Sequence, residues 1–205
     1  MTPESVTRSR RQERIRAEIL ESARQLILER GPDGFSLREV AARADYTPGA
    51  LYTYFASADD LLGAIAMQSL QVLGGVMTQV PTDLPAPERC VALGEAYLRF
   101  AAEHPEEYAI VFERLTVPSK GWEQFAQMAW PFTVLGDAFA AGVDEGAFET
   151  GPMLGAPEMA YGLWCIAHGA AALKRRFLAA LPDDMTPIQL EVMRAYVRGL
   201  VQRGE

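Results

Sequence analysis

The chain has 205 residues, 49% hydrophobic and 22% charged, enough to bury a sizeable core without a disulfide or metal staple. Lys+Arg 19 against Asp+Glu 27 leaves a formal charge of −8, which excludes a bulk cationic coat for nucleic acid but not a local one. Cys90 and Cys165 are too few and too far apart for a disulfide framework or a four-thiolate zinc site, and read as small hydrophobes in a reducing cytoplasm. No run approaches eighteen apolar residues and the arginine-rich start has no apolar stretch behind it, so neither a membrane span nor secretion is expected.

Charge is unevenly spread. Residues 1–56 hold nine arginines against eight acids, whereas the remainder carries a net −9. Five of those arginines (Arg8, Arg10, Arg11, Arg14, Arg16) fall within nine positions. A basic head on an acidic body points to a head that meets a polyanion and a body with another task; a solvated N-terminus is the plainer alternative.

Apolar residues recur at three and four, and breakers come at helix-length intervals, so the fold class is all-α. A first helix over 11–30 carries Ile15, Ile19, Ala23, Leu26 and Ile27 on one stripe and stops at Gly31-Pro32. Ser36-Leu37-Arg38-Glu39 has the form of a capping box, opening a short helix over 36–44 with Leu37, Val40, Ala41 and Ala44 inward. After Asp45-Tyr46, Thr47 caps a second short helix with Pro48 at its first position, running to about residue 55. Neither piece is stable alone in water, so both must pack on the first helix. Two such helices on a supporting third match the geometry of a DNA-reading helix-turn-helix, although short helix pairs are common in all-helical proteins.

A longer helix over 57–77 leaves the head with Leu62, Ile65, Ser69, Val72 and Val76 predicted inward, and a proline-bounded loop, 81–87, leads to the body. Further helices are expected over 87–103, 105–115, 120–145 (bent at Pro131) and 157–180. The last opens on Thr186-Pro187-Ile188-Gln189, read as a second capping box. The division is therefore 1–56 for the arm and head, 57–80 for a connecting helix, and 81–205 for the body.

The segments Phe35-Ser36-Leu37-Arg38-Glu39-Val40-Ala41-Ala42-Arg43-Ala44, Thr47-Pro48-Gly49-Ala50-Leu51-Tyr52-Thr53-Tyr54-Phe55 and 57–62 resemble the DNA-binding domain of TetR/AcrR transcriptional regulators. Tyr97-Leu98-Arg99-Phe100, His104-Pro105-Glu106-Glu107-Tyr108 and Trp164-Cys165-Ile166-Ala167-His168-Gly169 resemble the WHG-type C-terminal domain of a subset of that family. The resemblance implies a homodimer with one DNA head per protomer, a palindromic operator, and a body that takes a small inducer. It implies a phosphate contact for Ser36, a base or phosphate contact for Arg38, groove-facing Thr47, Pro48, Gly49 and Ala50, and phosphate contacts through the hydroxyls of Tyr52 and Tyr54. The sequence departs from the family at Ala58, where lysine is common, at the following Asp59 and Asp60, and at Asp45 in place of the turn glycine. Arg11 and its neighbours could compensate by reaching the DNA backbone or minor groove.

In the body, the helix over 157–180 is apolar on two faces and needs two partners. Leu163, Ile166, Ala170, Leu173 and Phe177 keep heptad spacing. With Val192 and Tyr196 of the last helix, Leu163, Ala170, Leu173 and Phe177 make a candidate dimer interface, eased by the small residues Gly162, Gly169 and Ala171. Tyr161, Trp164 and His168 line another stripe. With Tyr97, Phe125, Met128 and Phe132 they make a candidate ligand pocket for a largely apolar molecule. Trp122, Leu135 and Phe139 share that aromatic pattern, and Glu95 and Arg99 are possible polar contributors. A core histidine satisfied by a neighbour is the plainer reading of His168, and helix-spaced aromatics are more often core than pocket.

With two histidines and no His-x-x-x-His pair, no metal or cofactor is expected. Nor is there a Gly-x-Ser-x-Gly or a phosphate-cradling glycine loop, so no enzyme is expected. The competing function is a helical interaction protein that has lost DNA binding.

Overall fold

The computed structural model describes residues 3–31, 34–114, 122–176 and 184–202. They form α1 (Pro3–Arg30), α2 (Leu37–Arg43), α3 (Pro48–Leu51), α4 (Ala58–Thr78), α5 (Ala86–Glu103), α6 (Pro105–Ala109), a π-helical stretch (Ile110–Arg114), α7 (Trp122–Asp144), α8 (Ala156–Arg176) and α9 (Thr186–Leu200). Among the described residues there is no β-strand, only isolated bridges such as Phe148 with Val201.

The contacts divide the chain into two units, one of Met1–Ser69 with Glu106–Val117 and the other of Leu70–Pro105 with Pro118–Glu205. The first takes in α6, which hydropathy alone assigns to the body, and α4 changes unit at Ser69. In this unit Ile19, Leu20, Ala23, Leu26 and Ile27 form the buried stripe of α1. Leu37, Val40 and Ala41 of α2, Leu51 and Phe55, Leu61, Leu62 and Ile65 of α4, and Tyr108, Ala109 and Ile110 are buried in the same unit. Arg24 of α1 donates to Glu107 of α6, both side chains being mostly buried. Helix α1 begins at Pro3 rather than near residue 11, because arginine and glutamate are good helix formers and nothing before Gly31 breaks the ladder.

In the second unit α5 is central, packing on α7, α8 and α9. Its buried face (Cys90, Leu93, Gly94, Ala96, Tyr97, Phe100, Ala101) covers more than half its circumference, as three neighbours require. Glycines set the closest approaches. A Cβ on Gly94 would lie 2.6 Å from Met193 Sδ of α9, and one on Gly162 of α8 would lie 2.7 Å from Tyr196 Cζ. The ring of Trp130 lies across Gly74 of α4, leaving no room for a side chain there. His104 is the C-cap of α5, immediately before Pro105.

Three local expectations are corrected. Val72 faces outward at 43% exposure, because the inward face of α4 continues through Leu70, Leu73 and Met77. The Thr186 capping box does not form: Thr186 is already helical, Met185 is the N-cap without a side-chain bond, and Asp184 Oδ1 accepts from the Thr186 amide at 3.0 Å. The recognition helix is shorter than its pattern, ending at Leu51. Separately, α4 has the length and hydropathy (1.4) to cross a bilayer, but half of that window is buried inside the protein, as in a core helix.

Gly142 of α7 offers a packing test, since a Cβ there would fall 2.7 Å from Ala86 Cβ and against the ring of Phe148. Neither neighbour can swing clear. Gly142→Ala is expected to destabilise by about 1–3 kcal/mol and to lower the thermal midpoint by several degrees, read by circular dichroism.

Candidate nucleic-acid interface and candidate ligand cavity

The helix-turn-helix is held by local chemistry that the sequence encodes. The Glu39 amide donates to Ser36 Oγ at 3.3 Å while the Ser36 amide donates to Glu39 Oε2 at 2.9 Å, closing the capping box at the start of α2. The Ser36 bond, and then Arg30 at 2.6 Å, hold the Glu39 carboxyl below its usual range. The helix ends in a Schellman motif: the Tyr46 amide donates to Ala41 O at 2.9 Å, across Asp45 at φ 60. Asp45 thus adopts the left-handed conformation where the family has glycine, at a backbone cost that aspartate tolerates better than a branched residue. Tyr46 Oη donates to Glu18 Oε2 of α1 at 2.6 Å and braces the turn.

Thr47 caps α3, accepting the Ala50 amide at 3.2 Å, with Pro48 in the first turn. Only one helical turn follows before the chain bends through Tyr52 and Tyr54. Leu51 (0%) and Phe55 (1%) are sunk into the core, and Arg16 Cζ sits 5.1 Å from the Phe55 ring centroid. The opposite side carries Thr47, Pro48, Gly49 and Tyr52 exposed, with Ala50 and Tyr54 half-buried. Ser36, Arg38 and Arg11 are exposed as well. A Cβ on Gly49 would meet nothing within 4 Å, so a partner can approach that backbone closely. Asp60 is committed to the start of α4, accepting the Ala56 amide at 2.9 Å while its own amide donates to Ser57 Oγ at 3.1 Å.

The second unit holds a small cavity of about 20 Å³. Its walls are Leu73 and Met77 of α4, Leu93, Gly94 and Tyr97 of α5, Pro131, Phe132 and Leu135 of α7, and Leu163, Trp164 and Ala167 of α8. None of these residues is charged. Tyr97 Oη and His168 Nδ1 share a hydrogen bond of 2.7 Å, and the His168 ring stacks on Trp164 with centroids 5.3 Å apart. Trp164 Nε1 is buried without a hydrogen-bond partner, and Phe132 meets the Trp164 ring edge-on at 4.5 Å. Burial pushes the His168 imidazole below its ordinary pKa, so the neutral form is favoured.

The sequence-predicted pocket is thus rearranged. Tyr97, Phe132 and Trp164 line the cavity, and His168 is hydrogen-bonded to Tyr97 beside them. Tyr161 lies outside, 66% exposed, because it follows the outer face of α8. Glu95 and Arg99 are exposed, and Phe139 is core against Phe148. The side chains of Trp122, Phe125 and Met128 fall outside the described residues. Leu73, Met77, Gly94 and Pro131 were not foreseen, since their pattern reads only as helix core. The predicted dimer set is also redistributed. Leu163 (0% exposed) is an inner wall of the cavity rather than a surface residue. Tyr196 is half-buried against Gly162, donating to Met159 O at 3.0 Å. Leu173 and Val192 are exposed at 50% each, Ala170 is half-buried, and Phe177 lies outside the described residues.

The lowered pKa of His168 has a pH signature. The unfolded chain binds its proton first, so stability should be unaffected above the unfolded pKa and should fall as pH drops below about 6.5. The carboxylates held low (Glu29, Glu39, Asp184, Glu191) act only below their ordinary values of 4.5 and 3.8. His168→Gln should therefore flatten the dependence of thermal midpoint on pH between roughly 5 and 6.5. An unchanged slope would remove His168 as its cause.

Residues 19–65 match the family model for bacterial regulatory proteins of the tetR family, and residues 90–196 match the tetracyclin repressor-like C-terminal domain. The chain is 27% identical over 103 residues to the HTH-type transcriptional regulator Rv1816 of Mycobacterium tuberculosis, covering 49% of this chain and 44% of that protein. It is 37% identical over 68 residues to the HTH-type transcriptional repressor Rv3405c of the same organism, covering 33% of this chain and 34% of that protein. The chain therefore matches less than half the length of these relatives. A solved structure from Rhodococcus sp. RHA1 shares the fold at a TM-score of 0.79 and 22% identity, over 92% of this chain and 96% of that one. With its helix-turn-helix and most of its helical body both matched, the chain belongs to the TetR family of bacterial regulatory proteins.

Proposed function

We propose that this chain is a cytoplasmic, ligand-responsive transcriptional repressor that binds a palindromic operator as a homodimer and is released by a small, largely apolar inducer. The observation that carries the DNA-binding part is the α3 stub, pinned by Leu51 and Phe55 from below and presenting Thr47, Pro48, Gly49 and Tyr52 outward. Hydroxyls and an open glycine backbone suit phosphate and groove contacts, with Arg38 as the long donor beside them. So small a reading surface leaves much of the selectivity to DNA shape.

Dimerisation is proposed through the outer faces of α8 and α9, where Tyr161 (66%), Leu173 (50%), Ile188 (58%) and Val192 (50%) leave apolar surface in water. Pairing the two helices with their copies makes an isologous four-helix contact. Release follows by linkage: an inducer lowers DNA affinity only if it binds the non-DNA conformation more tightly. Helix α4 is the proposed carrier, since Leu61, Leu62 and Ile65 serve the first core while Leu73 and Met77 wall the cavity. A swing of α4 in each protomer would alter the spacing of two recognition stubs that must meet half-sites about 34 Å apart.

Selection from random duplex DNA tests the reading. One palindrome should emerge, bound about a thousandfold or more above random sequence and weakening steeply with salt. No preferred duplex would leave a helical interaction protein instead. Leu173→Glu combined with Val192→Glu should yield monomers in sedimentation equilibrium and lose most operator affinity. A variant that stays dimeric would move the interface elsewhere.

A further inference from the structure

Among the described residues the chain passes between the two units at two places. One is inside α4, from Ser69 to Leu70, and the other is the bond from Pro105 to Glu106. The first lies within an unbroken helix. The second is a break: α5 stops at His104, whose φ of −128 and ψ of 59 are not helical, as the proline after it requires. Each side of that break is fastened within its own unit. On the body side Arg175 Nη1 of α8 donates to Pro105 O at 2.8 Å. On the head side Glu107 accepts from Arg24 of α1, a partner 83 positions away. Those two side chains are 20% and 21% exposed, against 48% and 46% for Arg30 and Glu39, so water and salt screen the pair far less. Tyr108, Ala109 and Ile110 then run straight into the core of the first unit.

A head carried on one helix alone could twist about that helix and bend at its base. A second attachment leaves turning only about the line that joins the two. We infer that the Arg24–Glu107 pair, with Pro105 held by Arg175, is a strap that fixes the angle of each head and so sets which half-site spacing the homodimer accepts. The helix that holds Pro105 is α8, proposed above to pair with its copy. Arg175, Pro105, Glu107 and Arg24 thus lead from the dimer contact to α1. Helix α1 carries α2, and α2 carries α3, while Glu18 of α1 also accepts the Tyr46 hydroxyl in the turn between them. One base pair added between half-sites moves them about 3.4 Å apart and rotates one against the other by about 35°. A head free to tilt follows that change, and a strapped one does not. The pair touches no nucleotide, so its role is positioning, exerted through α1. The inference rests on the dimeric DNA-binding reading above.

The test uses the full chain, the duplex it selects from random DNA, and that duplex with one base pair added or removed between the half-sites. Wild type should lose about thirtyfold or more in affinity on either change, because the DNA must deform to meet fixed heads. Glu107→Gln and Arg24→Gln should each bind the selected duplex within about threefold of wild type and lose no more than about threefold on the altered ones. Arg24→Glu combined with Glu107→Arg should restore the pair and most of the wild-type spacing penalty. Arg175→Met frees the other end of the strap and should relax spacing in the same way, which keeps the test open if a glutamine variant fails to fold by circular dichroism. A folded glutamine variant that weakens equally on every duplex has lost a merely structural contact, and one that keeps the wild-type penalty has its heads held elsewhere. Either result overturns the strap. A wild type indifferent to spacing also overturns it, while leaving the regulator reading standing. A wild type with no preferred duplex fails that reading itself, and the strap with it.

Discussion

Two helices of seven and four residues cannot hold their shape in water, because each spends most of its length on nucleation. Their structure is borrowed from their neighbours: α2 packs on α1 and α3 on α2, with Ile19, Ala23, Leu26 and Ile27 fully or nearly buried alongside Leu37, Val40, Ala41, Leu51 and Phe55. Each Leu, Ile or Phe so buried contributes about 1.5–3 kcal/mol relative to exposure, far more than a cap or surface ion pair. The caps at Ser36 and Thr47 and the turn at Asp45 then choose where the helices begin and end. The exposed backbone around Gly49 is a by-product of that arrangement: when Leu51 and Phe55 go in, Pro48, Gly49 and Tyr52 have to face out.

Much of this was legible beforehand because it is local. The capping box at Ser36, the Thr47-Pro48 start and the inward set of α2 depend on neighbours within four positions. What was misread depends on distant partners. Thr186 has the residues of a capping box, yet Asp184 takes the amide. Leu163 and Leu173 share one heptad stripe, but α5 and α7 cover the first and not the second, and no periodicity in α8 distinguishes them. Tyr161 and Trp164 are three apart and fall on opposite sides of the cavity wall for the same reason. The cavity itself was half visible: aromatics on α7 and α8 marked two walls, while Leu73, Met77 and Gly94 looked like ordinary core until the helices were assembled.

The electrostatics of the two units differ in kind. In the head, ion pairs such as Arg30–Glu39 and Arg43–Glu29 are largely solvent-exposed and fix geometry more than they stabilise. In the body, the walls of the cavity carry no charged residue. Such a wall disfavours a charged guest, which would forfeit its hydration without a counter-ion.

The glycine contacts tie the helices of the body to one another. Met193 seated on Gly94 and Tyr196 seated on Gly162 weld α5, α8 and α9 into a block, with Tyr196 further fastened to Met159 O. Trp130 lying across Gly74 brings α4 against α7, which itself packs along α5 and α8. Gly142 adds a further close contact, where α7 meets Ala86 at the start of α5. Close contacts at these four glycines leave the helices they join little room to slide past one another without repacking.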